Sequence, residues 1–275
     1  MAVLYKYCPP ERVDVLESQM IRLTQAGDLN DPAESQARFR HARVSWDKFV
    51  DDASGLFPEL ECKEGNFRDF LNWLRPAQRP IVQRKILQGI LDMGTGILSL
   101  SSSRNIEAMW SHYADSHRGL VIGFDGNHRY FSANDGQMLG KVRYKERLGS
   151  FQYVEDLDAE SIFFTKSSSW AFEREWRLVK ALATRKHFLL PHPQTKSGYD
   201  LWLERVPAPA FYSVTMGVRM PEQSRARVMK ALAKRELRHV KLYQARLNGS
   251  GRLSFSGSLL PPPAPKAKHR SGRAG

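Results

Sequence analysis

The chain has 275 residues, 41% hydrophobic and 11% aromatic, which is ample material for a hydrophobic core. No apolar run reaches the eighteen or so residues of a membrane span, and two cysteines, Cys8 and Cys62, make neither a disulfide framework nor a metal site. The formal net charge of +13 is uneven: Gly217 to Gly275 holds fourteen Lys/Arg and two Asp/Glu, a net of +12, against 28 basic and 27 acidic residues before it. Such asymmetry points to an anionic polymer as a partner, or to a solubilising tail.

In chain order, Leu4-Tyr-Lys-Tyr7 alternates and predicts a first strand. The chain opens without a charged segment followed by an apolar one, so a cytoplasmic, reduced setting is expected. Pro9-Pro10 ends the strand, and Val13, Leu16 and Met20 mark a helix. Ile21 to Thr24 is a short second strand. Residues 35 to 92 read as charged helices with apolar stripes, among them Phe39, Val44, Trp46, Phe49 and Val50, and close with an amphipathic helix stopped at Gly94-Thr-Gly96. Ile97 to Ser103 is a strand ending in hydroxyls. A helix from Ile106 to Ser116 carries Met109, Trp110, His112 and Tyr113, and Gly119 to Asp125 is an apolar strand. Leu157 to Thr165 reads as a helix that delivers Lys166 towards the next stretch.

That stretch, Trp170-Ala-Phe-Glu-Arg-Glu-Trp-Arg-Leu-Val179, reads as a turn running into a buried strand. Side chains alternate along a strand, so Glu173, Glu175 and Arg177 share one face. Two carboxylates and a guanidinium flanked by Trp170 and Trp176 suit general acid/base work or the grip of a polyhydroxyl ligand. The plainer alternative is an edge strand whose charges face water.

Phe211 to Met216 is a further strand, Pro221 to Arg235 a basic amphipathic helix, and His239 to Tyr243 the last strand. From Asn248 the composition turns to Gly, Ser, Pro, Lys and Arg, which predicts a disordered basic tail over 249–275. Without regular strand–helix alternation, the expected architecture is a single α+β domain over 1–248 with a mostly antiparallel sheet and a helical insertion at about 35–92. No dinucleotide-binding glycine fingerprint, phosphate loop or Gly-x-Ser-x-Gly elbow is present, and the histidines lack ligand spacing, so no metal is expected.

Four stretches together resemble the bacterial domain-of-unknown-function family 2971: Leu4 to Tyr7, Asn30-Asp-Pro-x-Glu34, Met109-Trp-Ser-His-Tyr-Ala114 with Gly119 to Phe124, and Trp170-x-x-Glu-x-Glu-Trp-Arg177. The resemblance extends to about Leu253. More distantly, the order of elements resembles the ADP-ribosyltransferase fold, which implies a split sheet and NAD as a substrate. It implies that Glu175, helped by Glu173, stabilises charge as nicotinamide leaves. It implies dinucleotide contacts from Tyr5, Lys6, Tyr7, Ser101, Trp110, Tyr113 and Arg177, with Lys6 standing where many relatives of that fold carry His. The alternative function is a non-catalytic nucleic-acid-binding protein that uses residues 225–246 and the basic tail, where Arg225, Arg227, Lys230, Lys234, Arg235, Arg238 and Lys241 crowd one helix and strand.

Overall fold

The computed structural model describes residues 3–31, 46–50, 75, 79–133, 136–148, 159–182, 188–190 and 201–259. The elements run β1 (Val3–Cys8), α1 (Asp14–Ser18), β2 (Met20–Leu23), α2 (Arg79–Gly94), β3 (Thr95–Ser101), α3 (Glu107–Tyr113) and β4 (Leu120–Asp125). They continue with β5 (Gln137–Lys141), β6 (Arg143–Lys145), α4 (Ala159–Phe163), β7 (Thr165–Ser167), β8 (Glu175–Ala181), β9 (Phe188–Leu190) and β10 (Leu201–Arg205). Last come β11 (Phe211–Met216), α5 (Glu222–Leu232), β12 (Lys241–Leu247) and β13 (Leu253–Leu259). The fold is mixed α+β with mostly antiparallel strands, as expected. The predicted insertion at 35–92 lies largely outside the described residues; within it, 46–50 and α2 are helical. Among the described residues no helix is long and apolar enough to cross a membrane.

The chain divides into two compact units. The first combines residues 1–21, 102–130 and 205–275. Its strands lie in the order β13-β12-β11-β4-β1. The pairs β1–β4, β4–β11 and β12–β13 are antiparallel, whereas β11–β12 is parallel. A parallel pair needs a crossover, and α5 supplies it between β11 and β12. β4 is the apolar centre: Leu120 through Phe124 are buried without interruption, the pattern of a strand covered on both faces. Helix α5 buries Val228, Ala231 and Leu232, spaced three and four apart, while Glu222 and Lys230 are exposed. It packs beside α1, where Arg227 grips Glu17 with two hydrogen bonds of 2.9 and 2.7 Å.

One expectation is corrected here. Part of the segment predicted to be disordered, Leu253–Leu259, is the edge strand β13, antiparallel to β12. The turn before it is built by Asn248, whose Oδ1 accepts hydrogen bonds from the backbone N–H groups of Ser250 and Arg252 and from the Ser250 hydroxyl, with Gly251 at φ +76°. Leu253 and Phe255 then alternate with serines, the period-2 signature of a strand. Residues 260–275 of the predicted tail lie outside the described residues.

The second unit combines residues 22–101 and 131–204. Its central strand, β8, is flanked by β3 and β5, both antiparallel to it. A short parallel pair, β6–β7, and an antiparallel pair, β9–β10, also belong to it. Ile97, Phe163, Phe164 and Val179 form one buried cluster, with Leu29, Leu91 and Ile162 packed around it.

Candidate functional site

Four charged side chains meet inside the second unit: Lys166, Glu173, Glu175 and Arg177, each at most 3–4% exposed. β8 is a paired inner strand, so these charges do not face water. Alternation along β8 buries Glu175 and Arg177 on one face and leaves Trp176 half-buried on the other. Glu173 arrives differently. It ends a 3-10 turn over Ser168–Glu173, and Arg174 at φ +48° swings the chain from that turn into the strand. The parallel pairing of β7 with β6 sets Lys166 opposite Tyr144.

The cluster is satisfied from every side. Arg177 donates from Nε to Glu175 Oε1 at 2.8 Å and from Nη2 to Oε2 at 3.1 Å, the two-pronged geometry a guanidinium favours. Its Nη1 donates to the Phe163 carbonyl at 2.7 Å. Lys166 Nζ donates to Glu173 Oε2 at 2.7 Å and to Glu175 Oε2 at 3.4 Å, with the Trp170 ring centroid 4.6 Å away. The Glu175 N–H donates to the Tyr144 hydroxyl oxygen at 2.8 Å. Ser101, in register with Glu175 across β3–β8, donates from Oγ to the Glu173 carbonyl at 2.7 Å.

Burial alone would push the Glu175 carboxyl up, but the charge and hydrogen bonds of Arg177, the Lys166 ammonium and the Ser99 hydroxyl outweigh it and hold it down to about 2. Glu175 is therefore a fixed anion at neutral pH. It can accept hydrogen bonds and stabilise positive charge, but it does not shuttle protons near pH 7.

The other expected residues lie in the first unit, apart from Ser101. The Tyr7 hydroxyl donates to the Ser103 carbonyl at 3.0 Å and accepts from the Ile106 N–H at 3.3 Å. Its ring meets Trp110 edge-on at 5.6 Å, and the Trp110 indole N–H donates to the Arg104 carbonyl at 2.9 Å. Trp110 is fully buried and stacks on His117 with ring centroids 6.0 Å apart. Tyr7 and Trp110 thus tie β1 to α3. Replacing Tyr7 by Phe keeps the ring but strands the Ile106 N–H, and is expected to cost about 1–2 kcal/mol. Urea unfolding checks this as a lower midpoint at unchanged slope. Tyr5 lies elsewhere, beside Arg104, Tyr212 and Tyr243, and burial raises its hydroxyl pKa despite the Arg104 charge. Lys6 is half-buried on the opposite face of β1, and Tyr113 is half-buried next to His112.

Two residues at these sites have no mark in local sequence. Tyr144 joins the cluster through the β5–β8 pairing just before it and the β6–β7 register, and Arg104 reaches its aromatic neighbours from a loop. Among the described residues, no group of His, Cys, Asp and Glu is arranged to hold a metal ion.

No curated protein and no solved structure matches the chain. Residues 109–178 match the model of a family described as "Protein of unknown function (DUF2971)". The matched segment starts in α3 and ends in β8, so it contains Trp110, Tyr144 and the whole charge cluster, and it supports the expected kinship of this chain with that family.

Proposed function

We propose that the protein binds a polyanion, a nucleic acid above all, through the basic surface of its first unit. The carrying observation is the net charge of +12 over Gly217 to Gly275, with Lys230, Lys234, Arg235, Arg238, Lys241, Arg246 and Arg252 all exposed. Arg225 and Arg227 are held in place instead, by Gln244 and Glu17. Exposed cations this dense along the chain attract a phosphate backbone and release its counterions.

The test is binding of a labelled oligonucleotide measured across a salt series. Affinity is expected to fall steeply with salt, and exchanging Lys230, Arg235 and Arg238 together for Glu should weaken binding at least about tenfold and flatten the dependence. A dissociation constant weaker than about 100 µM at low salt would end this reading.

A second reading, an NAD-consuming transferase related to the ADP-ribosyltransferases, is favoured by one observation: Ser101 on β3 stands in register with Glu175 on β8, which is ionised at neutral pH. In that reading Glu175, with Glu173 beside it, would stabilise the ribosyl cation as nicotinamide departs. Wild-type protein that shows no rise in Tm in millimolar NAD, and releases no nicotinamide from it, removes this reading.

A further inference from the structure

The first unit carries a second feature that net charge alone does not explain. α5 lies over one face of the sheet, where Arg225 Nη1 donates to Gln244 at 2.6 Å. On β12, Lys241, Tyr243, Ala245 and Leu247 alternate to the other face. That face is lined with aromatic rings and cations. The Arg104 guanidinium lies 4.2 Å from the centroid of Tyr243 and 4.7 Å from that of Phe255. Lys241 Nζ sits 4.6 Å from the Tyr212 centroid and donates to its hydroxyl at 2.9 Å. Tyr5 completes the set: Tyr5, Gly123, Ser213 and Lys241 stand in one register row across four strands. A β-carbon at Gly123 would overlap Ser213 Oγ and lie 3.1 Å from Val3 and 3.2 Å from the Tyr5 ring, so this glycine leaves the row room for all three side chains. Tyr5, Arg104, Tyr212, Tyr243 and Phe255 are all half-buried, and Leu247 at the edge is 57% exposed.

We propose that this face is a stacking platform for a single-stranded nucleic acid, with bases lying on Tyr5, Tyr212 and Tyr243 and the backbone running past Arg104 and Lys241. The proposal rests on the polynucleotide reading above and narrows it to unpaired strands. Base–aromatic stacking needs a splayed base, which a duplex does not offer, and each stacked base contributes strongly to affinity. The cations complement the phosphates. They disfavour the chain's own segment 260–275 as occupant, because it carries Lys266, Lys268, Arg270 and Arg273 and no Asp or Glu. An acidic peptide would satisfy the cations but leave the rings without planar partners.

The experiment compares the full chain's affinity for a twelve-residue oligothymidylate, the duplex of equal length, inorganic polyphosphate and polyglutamate at one salt concentration. The single strand is expected to bind at least about tenfold tighter than the other three. Exchanging Tyr212 and Tyr243 together for Leu should remove that preference while the salt slope stays unchanged. Tyr243→Phe, which keeps the ring, should retain it, so that loss of stacking is separated from loss of fold. Equal binding of all four probes, or a Leu double variant as selective as wild type, overturns the stacking platform and leaves the polyanion reading standing. Failure to bind any of the four overturns both.

Discussion

Replacing Arg177 by Leu is expected to lower the unfolding free energy by about 3–5 kcal/mol, the range for a buried ion pair broken from one side. The side chain is 1% exposed and makes two hydrogen bonds to Glu175 and one to the Phe163 carbonyl. Leucine fills much of the space but leaves Glu175 with Lys166 at 3.4 Å as its remaining cation and leaves the Phe163 carbonyl without this donor. The second replacement, Glu175→Leu in the same chain, should recover part of the loss, because removing both members of a buried pair is far less costly than removing one. Urea unfolding of the wild type, both single variants and the double variant measures the coupling. A loss below about 1 kcal/mol for Arg177→Leu, or simple additivity in the double, would mean that the cluster does not hold the second unit together.

Acid provides an independent readout of the same cluster. Glu175 titrates at about 2 in the folded protein against a reference value of 4.5. Its folded pKa is depressed, so its contribution is fully present above about pH 4.5 and is lost as the pH falls towards 2. A difference of this size corresponds to about 3 kcal/mol. Glu175→Gln should remove that portion of the acid dependence while lowering stability at neutral pH, since the two cations then lose their shared anion.

The stretch from Trp170 to Val179 shows where sequence reasoning reaches and where it stops. A turn leading into a buried strand is what the structure contains, and alternation places Glu175 and Arg177 together because both lie within β8. Glu173 joins them for another reason, the left-handed Arg174, which no period describes. Its partnership with Lys166 is local, made across the turn Ser168–Glu173 that follows β7, whereas the Tyr144 hydroxyl comes to Glu175 from a more distant segment. Tyr7 and Trp110 teach a related lesson. An aromatic beside a candidate site looks available in sequence, yet here the Tyr7 hydroxyl and the indole N–H are both spent within the first unit. The strand at Leu253–Leu259 was hidden by composition: glycine, serine and proline averaged over 249–275 outweigh a seven-residue alternation. The pairing of that strand with β12 also brings Phe255 under Arg104, so the aromatic face became visible only with the fold.

Gly119→Ala is expected to be among the most damaging single substitutions in the first unit, costing about 3 kcal/mol or more. Gly119 follows Asp115, Ser116 and His117, three non-glycine residues in the left-handed region at φ +46°, +52° and +68°. That unusual run is clamped by backbone hydrogen bonds: the His117 N–H donates to the Trp110 carbonyl at 3.1 Å and the Gly119 N–H to the Ala114 carbonyl at 2.8 Å. The Gly119 carbonyl in turn accepts from the Gly217 N–H at 2.9 Å. A β-carbon on Gly119 would overlap the Cys8 carbonyl oxygen and lie 3.0 Å from Pro9 Cα. Both are main-chain atoms at the end of β1, so no rotamer change relieves the clash and the β1–β4 register beginning at Cys8 opposite Leu120 must open. Gly249→Ala is the matched control, since a β-carbon there meets nothing within 4 Å. Thermal unfolding of the two variants should show a drop of several degrees or more for Gly119→Ala and almost none for Gly249→Ala. Equal Tm values would show that the corner between α3 and β4 yields easily, and that the left-handed run is not held against the end of β1.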